Sequence, residues 1–210
     1  MLTGLALITA WLGAVFIVAS LISKRWPQQQ ELSRKVVHIG AGFALPIAWA
    51  TEIPVSIALA AAALASALAL INHRWRLLAS IEDVRRFSYG TVAYGVSITL
   101  LLAFFWPQRA DLVCAAVLTM ALADGLAGLL GANFSSRRWQ IFGQTKSIIG
   151  TATMALVTLL VLALLLPNLQ WYAVIAIATS ATLLEQFSWA GLDNFTVPLL
   201  VGVMGAWLRG

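Results

Sequence analysis

Charge is scarce in this chain of 210 residues: only 10% are Asp, Glu, Lys or Arg, and 61% are hydrophobic. Soluble domains carry about 25% charged residues, so a water-covered globule of this length is excluded. Cysteine is almost missing too. The one thiol, Cys114, lies in an apolar run and reads as a packing residue, which rules out an internal disulfide and a cysteine metal cluster. With only His38 and His73 beside it, a zinc site is short of ligands. Sustained apolar/polar alternation, the mark of a transmembrane barrel, is absent. So are a Ser-His-Asp pattern, a dinucleotide fingerprint and the G-x-x-x-x-G-K-S/T spacing of a phosphate loop. Pro, Gly and Ser gather into no linker, so residues 1–210 read as one domain.

What the chain has in abundance is apolar segments near 20 residues, recurring from end to end. The fold class is therefore all-α, a polytopic transmembrane helical bundle of seven to eight spans. Eight can be drawn, at roughly 2–22, 36–51, 53–71, 89–106, 112–132, 148–166, 171–187 and 194–208. Residues 1–22 have no charged stretch ahead of them and read as a span rather than a cleaved signal. The second span is short and contains Pro46, which suggests a kink or a re-entrant path. "ALAAAALASALAL" at 58–70 provides small residues for close helix packing. Trp26, Trp49, Trp75, Trp106 and Trp171 fall near span ends, as interfacial anchors do.

The net charge of +5 reflects topology rather than nucleic-acid binding. Alternating spans put the loops 23–35, 72–88, 133–147 and 188–193 on one side. That side holds eleven of the thirteen Lys and Arg, including Arg76, Arg85 and Arg86; only Arg109 and Arg209 fall opposite. The positive-inside bias makes the polar side cytoplasmic and puts both termini outside.

Polar residues inside apolar spans need a partner or a cavity. In "ADGLAGLLGANFSSRRWQIFGQTKSIIG", Asp124 sits about eight residues inside its span, and Gly125, Gly128 and Gly131 follow. Asp124, Gly128 and Gly131 share one helix face by the i, i+4, i+7 rule. Two readings stand for Asp124: a buried pair with a basic residue, or a cation or phosphate-site acid in a cavity open to the cytoplasm. Lys146, Ser147 and Gly150 come next, where a lysine, a hydroxyl and free backbone N–H groups at a helix start can hold phosphate, or the lysine is a topology or snorkelling residue at a span boundary. Arg34, His38 and Gly42 form an i, i+4, i+8 stripe in "LSRKVVHIGAG", with Lys35 adjacent. Glu185 ends an apolar run and needs a partner, while Asp193-Asn194 opens the last span with an N-cap as the simpler role. Phe87-Ser88-Tyr89-Gly90-Thr91 and Tyr94 either shape a site or, the simpler reading, mark an interface, and His73 reads as a surface residue. Acids and cations mixed on one side fit a nucleotide with its divalent cation better than a pore.

"RKVVHIGAG", then "ADGLAGLLG" with "KSIIG", then "LEQFSWAGLDNFTVPLL" together resemble the polyprenol kinase family, across about residues 31–205. That family contains dolichol, phytol and farnesol kinases, and its wider relatives include the CDP-diacylglycerol synthases. The small size and the DN-x-x-V-P ending are most similar to the phytol kinase branch. The resemblance implies CTP-dependent phosphorylation of an isoprenoid alcohol hydroxyl with Mg²⁺ or a similar cation, in the plasma membrane or a thylakoid. Carried over residue by residue, it implies catalytic roles for Asp124, Lys146, Glu185, Asp193 and His38. It places nucleotide contacts at Arg34, Lys35, Gly125, Gly128, Gly131, Ser147, Gly150 and Asn194, and metal ligation at Asp124 and Asp193. The chain departs from the pattern at "ANFSSRRWQIFGQTKS", where Gly143 stands alone for a second glycine. A CDP-lipid-forming cytidylyltransferase, a small transporter and a noncatalytic scaffold are the rival classes. Expected partners are the lipid alcohol and a nucleoside triphosphate, with no nucleic acid; tail length and oligomeric state are left open.

Overall fold

A computed structural model describes residues 1–75 and 88–209. Arg76, Arg85, Arg86 and Phe87, named above, lie outside the described residues. The chain forms ten α-helices among those residues: α1 Leu2–Arg25, α2 Gln30–Gly42, α3 Ala44–Ala50, α4 Val55–Trp75, α5 Gly90–Phe105, α6 Ala110–Leu118, α7 Gly125–Asn133, α8 Ile148–Leu165, α9 Trp171–Gln186 and α10 Asp193–Arg209. A π-helical turn, Thr119–Asp124, joins α6 to α7. A two-stranded hairpin, β1 Arg138–Ile141 and β2 Gln144–Ser147, joins α7 to α8.

The α6–π–α7 rod is the hub. Its apolar window is 78% buried inside the protein, against 11% for α1 and 6% for α4. The sequence explains this. Cys114, Ala115, Ala116 and Val117 are small enough for neighbours to close in on every side, and all are fully buried. Around the rod pack α2, α3, α5, α8 and α10, with α1 outside α2 and α4 outside α5. The outer helices turn Leu64, Phe104, Leu164 and Trp207 outward. Such an apolar exterior is what lipid demands and water penalises. Four helices are long and apolar enough to cross a membrane (Leu2–Arg25, Val55–Trp75, Ala110–Asn133, Ile148–Leu165), and Gly90–Phe105 is a shorter apolar helix.

Three expectations need correction. The second span bends, as its Pro46 suggests, but not at Pro46. The chain breaks at Phe43, and Pro46 falls in the first turn of α3, where a missing N–H costs nothing. Residues 133–147 are not merely a basic loop. They contain an antiparallel hairpin pairing Arg138 with Ser147 and Trp139 with Lys146. Its two-residue turn has positive φ at Phe142 (48°) and Gly143 (75°), the pattern of a type I′ connection. Trp106 is not an interfacial anchor: it is buried, and its Nε1 donates to the Ile53 carbonyl at 3.0 Å. Trp26, Trp49, Trp75 and Trp171 are exposed, as expected of anchors.

Asp193 opens α10, and Arg209 closes it, paired with Asp111. At 1.5 Å per residue those ends are roughly 24 Å apart, close to the thickness of a bilayer's apolar core. Alanine-rich α4 lies against α5, where Ser66 Oγ and Thr99 Oγ1 are 3.1 Å apart.

Candidate functional site

The face of α2 that meets the hub carries Lys35, His38 and Gly42, spaced i, i+3, i+7. Lys35 Nζ donates to Asp124 Oδ2 at 2.8 Å and to the Asp124 carbonyl at 3.3 Å. His38 Nε2 lies 3.2 Å from the Met120 carbonyl and 3.5 Å from Asp124 Oδ2. Tyr94, for which the sequence leaves shaping a site and marking an interface both open, donates its hydroxyl to the His38 carbonyl at 3.0 Å and packs its ring on the imidazole at 4.8 Å. The predicted stripe therefore shifts by one residue at its start: Lys35 faces the acid. Arg34 sits at the edge of that arc and forms a fork with Glu31 at 2.7 and 3.1 Å.

A second acid–base pair stands across the site. Lys146, at the end of β2, donates to Glu185 Oε1 at 2.5 Å and to the Glu185 carbonyl at 2.7 Å. The partner that Glu185 required is thus this lysine. Gln186, which the sequence reading passed over, donates its amide nitrogen to Glu185 Oε2 at 2.7 Å and to Thr151 Oγ1 at 3.0 Å. Its only signal was its position after an acid at the end of an apolar run. Each lysine spends two of three N–H donors on its partner.

At the helix start after Ser147, one of whose two readings is a phosphate cradle, the first backbone donors are engaged within the chain. Ile148 N–H donates to the Arg137 carbonyl, Ile149 N–H to Ser136 Oγ, and Gly150 N–H to Ser147 Oγ. Ser147 is an N-cap, and the first three donors of α8 are committed. The glycines also divide. Gly128 and Gly131 lie on the cavity wall. There, a Cβ on Gly128 would come within 3.0 Å of Lys35 Cε, and one on Gly131 within 2.7 Å of Ser147 Oγ. A Cβ on Gly125 would meet Ile39 at 2.6 Å, so Gly125 gives α2 room to pack.

At the start of α10, neither Asp193 nor Asn194 is the N-cap. Both lie within the helix, and the Asp193 N–H is taken by Ser188 Oγ at 2.6 Å. Asn194 Nδ2 donates to the Gly90 carbonyl at 3.2 Å, locking α10 onto the start of α5. Ser88 Oγ in turn accepts from Gly90 N–H at 3.1 Å. His73 is half-buried and stacks on Tyr89 at 5.1 Å rather than standing free at the surface.

One cavity of about 910 Å³ collects these groups. Arg34, Lys35, Asp124, Gly128, Gly131, Lys146, Ser147, Gly150, Glu185, Asp193 and Asn194 all line it. His38 and Gly125 stand behind the wall. The lining cations are Arg34, Lys35, Arg138 and Lys146, and the anions Glu31, Asp124, Glu185 and Asp193 balance them. Arg138 also caps α7, donating to the carbonyls of Gly131 and Ala132 at 3.4 and 3.0 Å. Asp193 differs from the other acids: among the described residues no cationic side chain pairs with it, although Lys35 and Lys146 lie within its electrostatic reach. Two buried amide oxygens, Gln186 Oε1 and Asn194 Oδ1, have no hydrogen-bond partner among the described residues. No group of three or more His, Cys, Asp or Glu side chains among them is arranged to hold a metal ion by itself.

Comparison with known proteins supplies a relative. Over 212 residues the chain is 38% identical to a phytol kinase of Synechocystis sp., covering 96% of this chain and 91% of that protein. No family model matches the sequence, and no solved structure matches the fold. Identity at that level over nearly the full length of both proteins shows the family: the chain belongs to the polyprenol kinases, with a phytol kinase among its relatives.

Proposed function

We propose that the cavity transfers the γ-phosphoryl group of CTP to the hydroxyl of an isoprenoid alcohol such as phytol, farnesol or geranylgeraniol. The observation that carries this reading is the pair of lysine–carboxylate contacts, Lys35–Asp124 and Lys146–Glu185, on the wall of one cavity inside an apolar bundle. Buried ion pairs are costly in such a place and mark function. The family relationship supplies the reaction class.

In the reaction the alcohol oxygen bonds to the γ-phosphorus, the bond to the β–γ bridging oxygen breaks, and the hydroxyl proton leaves. Products are the alcohol monophosphate and CDP. Lys35 and Lys146 each bring a remaining N–H donor to the phosphates and offset the charge that shifts during transfer. Asp193 and Asp124 are hard oxygen donors at the polar end of the cavity. One or two such carboxylates, completed by phosphate oxygens, suit Mg²⁺. When bound, that ion would neutralise developing negative charge. Glu185 accepts one hydrogen bond on each oxygen, from Lys146 and Gln186; the lone pair left on each can take the alcohol's proton while Lys146 keeps its remaining N–H on the phosphates.

Eight passes fit this arrangement: α1, α2 with α3, α4, α5, the α6–π–α7 rod, α8, α9 and α10. Both termini are then outside and the cavity faces the cytoplasm. The isoprenoid tail stays in the bilayer of the plasma membrane, or of a thylakoid in a photosynthetic source. The test is an assay of purified protein with phytol, farnesol, geranylgeraniol and longer polyprenols against CTP, ATP, UTP and GTP with Mg²⁺. Alcohol monophosphate and CDP are expected. CDP-lipid and pyrophosphate would instead identify a cytidylyltransferase, and nucleotide-free flux in sealed vesicles a transporter.

A further inference from the structure

The central rod changes its winding once, at the π-turn Thr119–Asp124. A π-turn spans i→i+5 rather than i→i+4. One extra residue, at about 100° per residue, rotates everything downstream by roughly a quarter-turn relative to α6. Asp124, Gly128 and Gly131 reach the cavity wall in this rotated phase. Unwound to a regular helix, the same sequence would carry its acid to a different face.

The turn packs against α8, α10 and α2, and α2 brings it a polar contact. The Met120 carbonyl, inside the turn, faces His38 Nε2 at 3.2 Å. A carbonyl oxygen only accepts, so that nitrogen carries a proton and donates it as a hydrogen bond. It has no lone pair to offer a substrate. The imidazole is itself held by Tyr94, from beneath through the ring and behind through the His38 carbonyl. Gly42, one turn on, lets the backbones close: a Cβ there would sit 2.5 Å from that of Ala121 in the same π-turn.

We propose that His38 is a positioning residue, whose Nε2–H clamps the Met120 carbonyl, holds the π-turn and so aims Asp124 into the cavity. It exchanges no proton with the substrate. The inference rests on the proposed reading of Asp124 as a metal-binding acid. It predicts that any side chain able to donate to Met120 retains function in proportion to its reach, and that one without a donor does not.

The experiment compares His38→Gln, His38→Leu and Tyr94→Phe in the full-length purified protein. Mn²⁺ binding is followed by electron paramagnetic resonance with a non-hydrolysable CTP analogue, and turnover is measured across pH. His38→Leu is expected to weaken Mn²⁺ binding and turnover by about tenfold or more, the usual cost of removing an outer-shell partner. His38→Gln should recover most of the metal binding and keep the wild-type shape of the pH profile. Tyr94→Phe should move both readouts in the direction of His38→Leu, by a smaller factor. A His38→Gln enzyme that binds Mn²⁺ normally but loses a limb of its pH profile would overturn the proposal in favour of proton transfer. Wild-type Mn²⁺ binding in His38→Leu would overturn it outright. If His38→Leu does not fold, wild-type behaviour of Tyr94→Phe and a dead His38→Gln together count against it. Should the wild type phosphorylate no alcohol, the functional reading fails, and the Mn²⁺ titration still decides the role of His38.

Discussion

Lys146 and Glu185, 39 positions apart in sequence, meet at 2.5 Å on the cavity wall, and the lysine also holds the Glu185 carbonyl. One residue closes a β-strand and the other ends a helix, so the pair ties β2 to the last turn of α9. Lys146→Met is expected to destabilise the protein by about 3–5 kcal/mol, because it leaves a buried carboxylate uncompensated. The Lys146→Met, Glu185→Gln double variant should recover much of that stability but no kinase activity. Thermal unfolding in detergent beside a turnover assay separates the two effects. An active double variant would leave the pair with a structural role only.

Asp124→Asn keeps the size of the side chain and a weak contact to Lys35 while removing the charge. Turnover should fall by two orders of magnitude or more, about 3 kcal/mol of transition-state stabilisation. The protein should still insert and purify. Normal activity in this variant would refute a metal-binding role for Asp124.

Gly131→Ala should destabilise the protein by about 1–3 kcal/mol through overpacking, since the new methyl would sit 2.7 Å from Ser147 Oγ and 3.2 Å from Gly150 Cα. Gly143→Ala meets no atom within 4 Å but must hold φ at 75°, which costs about 1 kcal/mol. Melting temperatures of the two variants should therefore fall in that order. Equal losses would mean that the contact of α7 with α8 is looser than described.

Sidedness can be mapped with thiols because Cys114 is fully buried. Cysteines placed at Ser135, near the hairpin, and at Gln108, at the opposite end, should label from opposite faces in intact cells. A membrane-impermeant maleimide is expected to reach position 108 and miss position 135. Labelling of both from outside would overturn the eight-pass arrangement.

Much of this was legible in the sequence because lipid leaves little freedom: long apolar runs have to be helices, and an intramembrane acid has to be explained. Asp124, Gly128 and Gly131 could be put on one face because the helix beyond the π-turn is regular. Lys35 was harder to assign than Arg34, since two adjacent cations differ by about 100° around a helix and the choice depended on where the hub lay. The hairpin was hidden in a short polar stretch whose alternation, Trp139 then Ile141, covers only two periods. Gln186 escaped notice, and the part Tyr94 plays could not be fixed, because their roles exist only against Thr151 and His38, partners supplied by other helices. The π-turn has no composition of its own in "TMALAD" and is visible only in three dimensions.

The hairpin joins α7 to α8, and Arg138 and the Arg137 carbonyl fasten it at either end. Asp124 and Lys146 are thereby mounted on one bracket, a single mechanical part. The α2 wall meets the hub differently, through side chains alone: Lys35 and His38 reach across, and α2 packs close at Gly42 and Gly125. Separating the α2 wall from the hub would exchange side-chain contacts, whereas separating α7 from α8 on the hairpin side would have to break strand pairing.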